Sequence, residues 1–294
     1  MEPGIGRVVS AHGDYYHLVC NEQPTGEILA RKKKSAFMRM KTVAPVNMKG
    51  KKISEDRAEL PPQPLTGDFV KFRYNVQGES MITEVLPRFS HFERKDPTAR
   101  RTSQTLAVNF DTLFVMMSLN ENFSTARIER YLALAEDMGE AEVVVVLTKS
   151  DLVVGHETRD DRHGKGRETL DARHMASRLK SLVSRPVFSI SSLTGDGLDQ
   201  LAPYFVPGKT VAFIGSSGVG KSTLLNRLVG EEWQATQEIQ EWSGKGRHTT
   251  TSRELIMLPD GAMVVDTPGI REIGRLDESD ELLVKGESTH RYRK

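Results

Sequence analysis

The sequence has little cysteine and no long apolar stretch. Its single cysteine, Cys20, excludes an intramolecular disulfide. The longest apolar runs, such as residues 143–147, contain five residues, whereas a membrane-spanning helix needs about 20. The opening residues Met1-Glu2-Pro3-Gly4 lack the basic and then apolar pattern of a secretory signal peptide. We therefore expect a globular, cytoplasmic protein that has no membrane partner.

The formal net charge of +1 conceals an uneven distribution of charge along the chain. Residues 1–104 carry 18 Lys and Arg against 12 Asp and Glu, a net charge of +6, and residues 105–294 carry 23 against 28, a net charge of −5. A basic first part beside an acidic remainder indicates that the first part meets a polyanion. A solvated lysine-rich surface would give the same imbalance, so charge alone leaves both interpretations open.

Residues 1–88 contain five short runs that are typical of β-strands and are separated by glycine-containing turns. These runs are residues 7–10, 15–19, 27–30, 68–72 and 80–85. Five short strands favour a small barrel such as an OB-fold, which often binds oligonucleotides. The basic stretch 31–62 is predicted to be a long loop. Its candidate RNA-binding residues are Lys32, Lys33, Lys34, Lys51 and Lys52.

After a polar stretch at residues 89–104, which is predicted to be a linker, strand-like and helix-like segments alternate. This alternation indicates a parallel sheet covered by helices on both faces. The predicted strands are residues 112–117, 142–147, 186–190 and 210–214, with a hairpin at 255–265, and the predicted helices are 125–138, 170–183 and 223–229.

The segment Gly215-Ser216-Ser217-Gly218-Val219-Gly220-Lys221-Ser222 matches the phosphate-loop pattern G-x-x-x-x-G-K-[ST]. It follows an apolar strand and opens a helical segment, which is the context that makes this pattern specific. The glycines allow backbone N–H groups to close around a β-phosphate at a helix amino terminus. Lys221 is expected to contact the β- and γ-phosphates, Ser222 to bind Mg²⁺, and Thr223 to complete the nucleotide site.

A second motif, Asp266-Thr267-Pro268-Gly269, lies 45 residues after Lys221. An aspartate at this position meets Mg²⁺ through water, and Gly269 can donate its N–H to the γ-phosphate. The D-x-P-G pattern alone also occurs in ordinary turns, but its spacing from the phosphate loop favours the magnesium interpretation.

Guanine recognition is predicted at Thr148-Lys149-Ser150-Asp151, which matches the pattern [NT]-K-x-D. The Asp151 carboxylate can accept hydrogen bonds from guanine N1 and N2, whereas adenine would leave that charge unpaired. Lys149 would pack along the base. Ser191-Ser192-Leu193 is similar to the S-A-x turn whose backbone N–H reads guanine O6. Both motifs follow predicted parallel strands, and open α/β sheets bind ligands at the carboxyl ends of such strands. An enzyme specific for adenine nucleotides is the alternative.

The guanine motif precedes the phosphate loop by about 70 residues. In ordinary GTPases the phosphate loop comes first, then the switch loops, then the guanine motif. The sequence therefore predicts a circularly permuted GTPase, with Mg²⁺ as cofactor and GTP as substrate.

Between the phosphate loop and Asp266 lies the segment Gly244-Lys245-Gly246-Arg247-His248-Thr249-Thr250-Thr251. Its glycines suit a mobile switch in which a threonine, Thr250 or Thr251, closes on Mg²⁺. Ile270 and Arg271 stand where Ras-type enzymes keep a water-orienting Gln. His248 is therefore the candidate catalytic residue, since it adjoins the switch threonines.

These motifs, together with Gly67-Asp68-Phe69-Val70, Leu86-Pro87-Arg88 and Asn109-Phe110-Asp111, resemble the RsgA (YjeQ) family of ribosome small-subunit-dependent GTPases over about residues 5–276. The resemblance implies a cytoplasmic, monomeric GTP hydrolase that binds the small ribosomal subunit and its rRNA late in assembly. A GTP-gated RNA-binding module with incidental hydrolysis is the alternative.

The chain departs from the family pattern in two places. The family's zinc module of three Cys and one His has no counterpart, so zinc is not expected. Thr148 stands where Asn is commoner. The predicted fold class is α/β: an all-β OB-like barrel at residues 1–88, a linker at 89–104, a circularly permuted P-loop GTPase domain at 105–276 and a short tail at 277–294.

Overall fold

A computed structural model describes residues 4–20, 27–37, 62–95, 103–153, 172–230 and 254–266. The chain divides into two compact units, Met1–Arg88 and Phe89–Lys294. No helix within these described ranges is long and apolar enough to cross a bilayer.

The first unit is a closed β-barrel of five strands. They are β1 (Gly4–His12), β2 (Tyr15–Val19), β3 (Ile28–Lys32), β4 (Phe69–Arg73) and β5 (Ser80–Val85). Hydrogen bonds join them in the order β1-β2-β3-β5-β4, and β4 pairs again with β1 to close the barrel. The β3–β5 pair is parallel, and the other pairs are antiparallel. The predicted five-stranded barrel is confirmed.

The barrel interior is built from the alternating apolar residues of its strands. They are Val8, Tyr16, Leu18, Ile28, Ala30, Val70, Phe72 and Ile82. A single helical turn, α1 (Lys34–Phe37), follows β3. Phe37 is buried in the same core. The predicted loop from residue 31 onwards is therefore wrong for residues 31–32, which pair with β2 and β5, and for α1, where Phe37 is buried. Residues 38–61 lie outside the described ranges.

Asp68 and Arg88, which lie in two of the segments that carry the resemblance in the sequence, form an ion pair. The guanidinium of Arg88 donates from Nε to Oδ1 of Asp68 and from Nη2 to Oδ2, both at 2.8 Å. The backbone N–H of Leu65 also donates to Oδ2 at 2.8 Å. Asp68 is fully buried. These bonds satisfy a buried charge that would otherwise be strongly destabilising, so Asp68 and Arg88 have a structural role.

The second unit begins with an antiparallel pair, β6 (His91–Lys95) and β7 (Ser103–Val108). Both strands overlap the stretch predicted as a linker, so that interpretation is wrong for these residues. Phe92, Leu106 and Val108 are buried, and this burial outweighs the polar character of the stretch.

The main sheet of the second unit contains β8 (Thr112–Ser118), β9 (Glu142–Thr148), β10 (Val187–Ser189), β11 (Thr210–Ile214), β12 (Glu254–Met257) and β13 (Met263–Asp266). The order across the sheet is β10-β9-β8-β11-β13-β12. All neighbours are parallel except β12, which forms the predicted hairpin with β13. The strands are almost wholly buried and apolar, as expected of a parallel sheet.

The helices described in the second unit are α2 (Thr125–Leu134), α3 (Ala172–Leu182) and α4 (Lys221–Val229), with 3₁₀ helices at Ser150–Val153 and Leu198–Tyr204. The hydroxyl of Ser124 accepts a hydrogen bond from the N–H of Arg127 and caps α2. This helix ends at Leu134, four residues before the predicted end. Helix α4 begins at Lys221, two residues before the predicted start, so the last two residues of the phosphate-loop pattern lie in its first turn.

Candidate nucleotide-binding site

The predicted motifs meet at one edge of the parallel sheet. Strand β9 ends at Thr148, β10 at Ser189, β11 at Ile214 and β13 at Asp266. Because these strands run parallel through β8, their carboxyl ends share one edge. Open α/β sheets bind their ligands at this edge.

The phosphate-loop segment turns sharply between β11 and α4. Gly218 and Gly220 have φ angles of 74° and 105°, in the left-handed region that favours glycine. A Cβ atom at Gly215 would lie 2.6 Å from the backbone oxygen of Met116 on β8. The loop is therefore held close to the neighbouring strand, and only glycine fits at position 215.

The ammonium of Lys221 lies against the loop that precedes it. Its Nζ donates hydrogen bonds to the backbone oxygens of Gly215 and, at 2.8 Å, of Ser216. Ser222 and Thr223 follow in the first turn of α4, and both are exposed. The positive charge and the first-turn hydroxyls thus lie together at the amino terminus of α4, which itself favours anions.

The hydroxyl of Thr148 joins the guanine motif to the phosphate loop. It lies 2.5 Å from the backbone oxygen of Val219 and 3.4 Å from that of Met117. Thr148 is 1% exposed. The next residue, Lys149, has a φ angle of 60°. Left-handed backbone at a residue other than glycine costs about 1–3 kcal/mol, so the surrounding structure imposes this turn.

Asp151 and Ser191 are joined directly, although they belong to different motifs. The hydroxyl of Ser191 donates to Oδ1 of Asp151 at 2.6 Å and accepts from the N–H of Thr194 at 3.1 Å. Ser191 is fully buried. Among the described residues no donor reaches Oδ2 of Asp151. One carboxylate oxygen is thus fixed in place, and the other is available to a ligand.

The remaining residues of the second guanine motif differ from each other in exposure. The hydroxyl of Ser192 is buried and has no hydrogen-bond partner in the described part of the chain. Leu193 is 75% exposed. Within the described part of the chain, neither side chain makes a hydrogen bond to the Asp151 carboxylate, so the predicted contribution of this turn rests on its backbone.

The residues predicted to bind Mg²⁺ lie only partly within the described ranges. Ser222 presents an exposed hydroxyl in the first turn of α4, and Asp266 ends β13, the strand next to β11. Hydroxyl and carboxylate oxygens suit Mg²⁺, so the donor types present fit this ion. Thr250, Thr251, Gly269 and the catalytic candidate His248 lie outside the described residues.

The tripeptide Asn109-Phe110-Asp111 lies at the opposite edge of the sheet. The Asp111 carboxylate accepts from the N–H of Thr210 at 2.9 Å and from Nζ of Lys209 at 2.8 Å. The hydrogen bond from Nζ of Lys209 to Asp111 raises the pKa of Lys209, and the negative charge of Asp111 raises this pKa further to a smaller extent. Asp111 thus joins the starts of β8 and β11 and has a structural role.

The lysines predicted to bind RNA differ in their surroundings. Lys32 is part-buried and pairs with Asp14 at 3.3 Å, whereas Lys33 and Lys34 are exposed. Lys51 and Lys52 lie outside the described residues. Sequence reasoning did not identify Tyr15 and Arg31, whose side chains stack on the barrel surface, with the guanidinium carbon 4.1 Å from the ring centre.

The chain is similar to proteins of one family along most of its length. The family model described as RsgA GTPase matches residues 85–276. The chain is 39% identical over 273 residues to the small ribosomal subunit biogenesis GTPase RsgA 2 of Lactiplantibacillus plantarum, covering 92% of this chain and 66% of that protein. It is 43% identical over 220 residues to the small ribosomal subunit biogenesis GTPase RsgA of Opitutus terrae, covering 71% and 55%.

Two solved structures share the fold. The crystal structure of YjeQ from Thermotoga maritima has a TM-score of 0.58 at 25% identity and covers 92% of this chain and 76% of its own. The crystal structure of YloQ, a circularly permuted GTPase, has a TM-score of 0.55 at 22% identity and covers 90% and 71%. The predicted fold class, a barrel followed by a circularly permuted GTPase domain, is confirmed. The chain spans 55–66% of the length of the two curated relatives.

Proposed function

The chain belongs to the RsgA GTPase family, and we propose that it binds GTP and hydrolyses it to GDP and phosphate. One observation carries this proposal. The hydroxyl of Thr148 and the carboxylate of Asp151 bring the guanine motif against the phosphate loop and the Ser191 turn, at a single sheet edge. Binding of a guanine nucleotide requires a group that recognises the base and a loop that recognises the phosphates, in contact with each other.

The placement of the described residues supports the roles that we propose for the side chains. Asp151 accepts hydrogen bonds from guanine N1 and N2, while Ser191 orients its carboxylate. The N–H groups of the phosphate loop and the ammonium of Lys221 bind the phosphates. Ser222 and Asp266, with Thr250 or Thr251, would hold Mg²⁺. When bound, this ion offsets the negative charge on the β- and γ-phosphate oxygens.

We propose that His248 orients the attacking water. Neither Ile270 nor Arg271, which follow the Asp266-Thr267-Pro268-Gly269 motif, can act as the Gln of Ras-type enzymes. An imidazole next to the switch threonines can both accept from and donate to a water molecule. General-base or positioning groups of this kind contribute about 10²–10⁴-fold to turnover.

The proposed partner is the small ribosomal subunit with its rRNA, and the proposed site of action is the cytoplasm. Two relatives are named for small ribosomal subunit biogenesis. The net charge of +6 over residues 1–104 is consistent with contact between the barrel and RNA. We expect the protein to act there as a monomer, in late assembly.

The decisive experiment is single-turnover hydrolysis of GTP with and without purified small subunits. We expect the subunits to accelerate turnover, and we expect Lys221→Ala to abolish GTP binding or turnover under both conditions. Slow hydrolysis that subunits do not change, with GTP-dependent binding intact, would favour a GTP-gated RNA-binding module. Displacement of labelled GTP by excess ATP would instead overturn guanine specificity.

A further inference from the structure

A row of exposed side chains crosses four neighbouring strands on the outside of the barrel. Tyr15 on β2 is the register partner of Arg31 on β3, Arg31 is the partner of Met81 on β5, and Met81 is the partner of Arg73 on β4. All four are exposed, and Tyr15 and Met81 are 38% and 44% exposed. Because register partners lie on the same face, the four side chains form one continuous strip, which we call the outer row.

The outer row contains a preformed stacking element. The guanidinium carbon of Arg31 lies 4.1 Å from the centre of the Tyr15 ring, and Nε of Arg31 lies 2.6 Å from Oε2 of Glu79. The contact with Glu79 holds the guanidinium plane in position over one face of the ring. Aromatic rings and guanidinium planes are the groups on which proteins stack unpaired nucleobases.

The charges around the outer row favour base stacking over phosphate contacts. Arg31 is paired with Glu79, and Lys71 is paired with Glu84 at 2.8 Å. Paired cations attract phosphates weakly, so the part of the row around Tyr15 and Arg31 is poorly suited to the backbone of a duplex. Among the described residues, no ion pair involves Arg73 in the row itself or Lys33 and Lys34 beyond the end of β3, and all three are exposed. These lysines can hold the backbone of a strand whose bases lie on the row.

From these observations we propose that the outer row binds unpaired RNA by stacking nucleobases on Tyr15 and Arg31. The proposal rests on the RNA binding proposed above for the barrel, and it names the form of RNA and the residues that select it. Adjacent strands are about 4.8 Å apart, so the row is about 14 Å long. Sheet surfaces with exposed aromatics stack two or three bases in other RNA-binding modules.

Fluorescence anisotropy with the full chain tests this proposal, using a labelled 12-nucleotide single-stranded RNA and the corresponding RNA duplex. We expect Tyr15→Ala to weaken binding of the single strand by about 5- to 150-fold, the range for loss of one stacked base. Tyr15→Phe keeps the ring and should restore binding. Val76→Ala, an exposed apolar residue between β4 and β5, is the matched control and should bind as the unchanged protein does.

The salt dependence separates stacking from charge. Tyr15→Ala should leave the slope of log affinity against log salt unchanged, since no phosphate contact is lost, whereas the double change Lys33→Ala and Lys34→Ala should reduce it. Arg31→Lys keeps the charge and removes the guanidinium plane, so it should also weaken binding. Urea unfolding of each variant confirms that the barrel is intact.

Three results would overturn the proposal: no binding of single-stranded RNA by the unchanged protein, equal binding by Tyr15→Ala, or an equal loss for strand and duplex. If small-subunit binding required Tyr15 while single-stranded RNA did not bind, the row would contact protein, and the proposal would also be overturned. Failure of GTP hydrolysis or of subunit binding with Tyr15-dependent RNA binding intact would instead contradict only the proposed function.

Discussion

The hydroxyl of Thr148 donates a hydrogen bond to the backbone oxygen of Val219 at 2.5 Å, across 71 residues of sequence. Thr148 opens the guanine motif, and Val219 lies within the phosphate loop. Both groups are buried, so solvent does not compete for the bond. The predicted guanine motif and the phosphate loop are therefore joined through a single side chain.

Replacing Thr148 by Val should destabilise the protein by about 1–2 kcal/mol, because the buried Val219 oxygen loses its donor. GTP affinity should fall as well. Thr210 provides the matched control, since it is fully buried but its hydroxyl has no partner within the described residues. Thr210→Val should leave stability unchanged or raise it by up to about 1 kcal/mol. Chemical denaturation measures both, and equal losses in the two variants would contradict the coupling.

Asp151→Asn should shift base preference from guanine towards xanthine. The amide can donate to the 2-oxo group of xanthine, whereas guanine carries a donor at that position. The Asn oxygen can still accept from Ser191, so the turn should remain intact. Competition between GTP and XTP measures the shift. Ser191→Ala is the control, and it should weaken GTP binding without favouring XTP. If Asp151→Asn still preferred GTP over XTP as strongly as the unchanged protein does, Asp151 would not recognise guanine.

His248→Ala should lower turnover by roughly 10²-fold or more, because one water-positioning group is lost. GTP affinity should stay within a few-fold, since the residue belongs to no binding motif. Single-turnover hydrolysis with small subunits present is the measurement. Turnover equal to that of the unchanged protein would mean that His248 is an ordinary loop residue.

Changing Lys32, Lys33 and Lys34 together to Glu should weaken small-subunit binding and flatten its salt dependence, because fewer phosphates are neutralised. Basal GTP hydrolysis should persist, since these lysines lie outside every nucleotide motif. Lys32 already pairs with Asp14, so we expect Lys33→Glu with Lys34→Glu to reproduce most of the effect. Co-sedimentation across a range of salt concentrations tests this, and wild-type behaviour of the triple variant would leave the cluster as a solvated surface.

The amino-acid sequence was sufficient to predict most of the local elements and the order of the motifs. Strands β2 and β5 begin and end where their alternation predicts, because a strand with one buried face repeats every two residues. The permuted order of the guanine motif and the phosphate loop is also a property of the linear sequence. Each glycine and lysine of the loop could be placed because the motif itself specifies its geometry.

The tertiary structure alone decided which distant groups meet. The polar stretch 89–104 contains β6 and the start of β7, since pairing between them and burial of Phe92 stabilise strands that local composition argues against. The contacts of Thr148 with Val219, Asp151 with Ser191 and Asp68 with Arg88 likewise join segments far apart in sequence. Such contacts depend on strand order and register, and these are set by packing of the whole sheet or barrel, which no local pattern encodes.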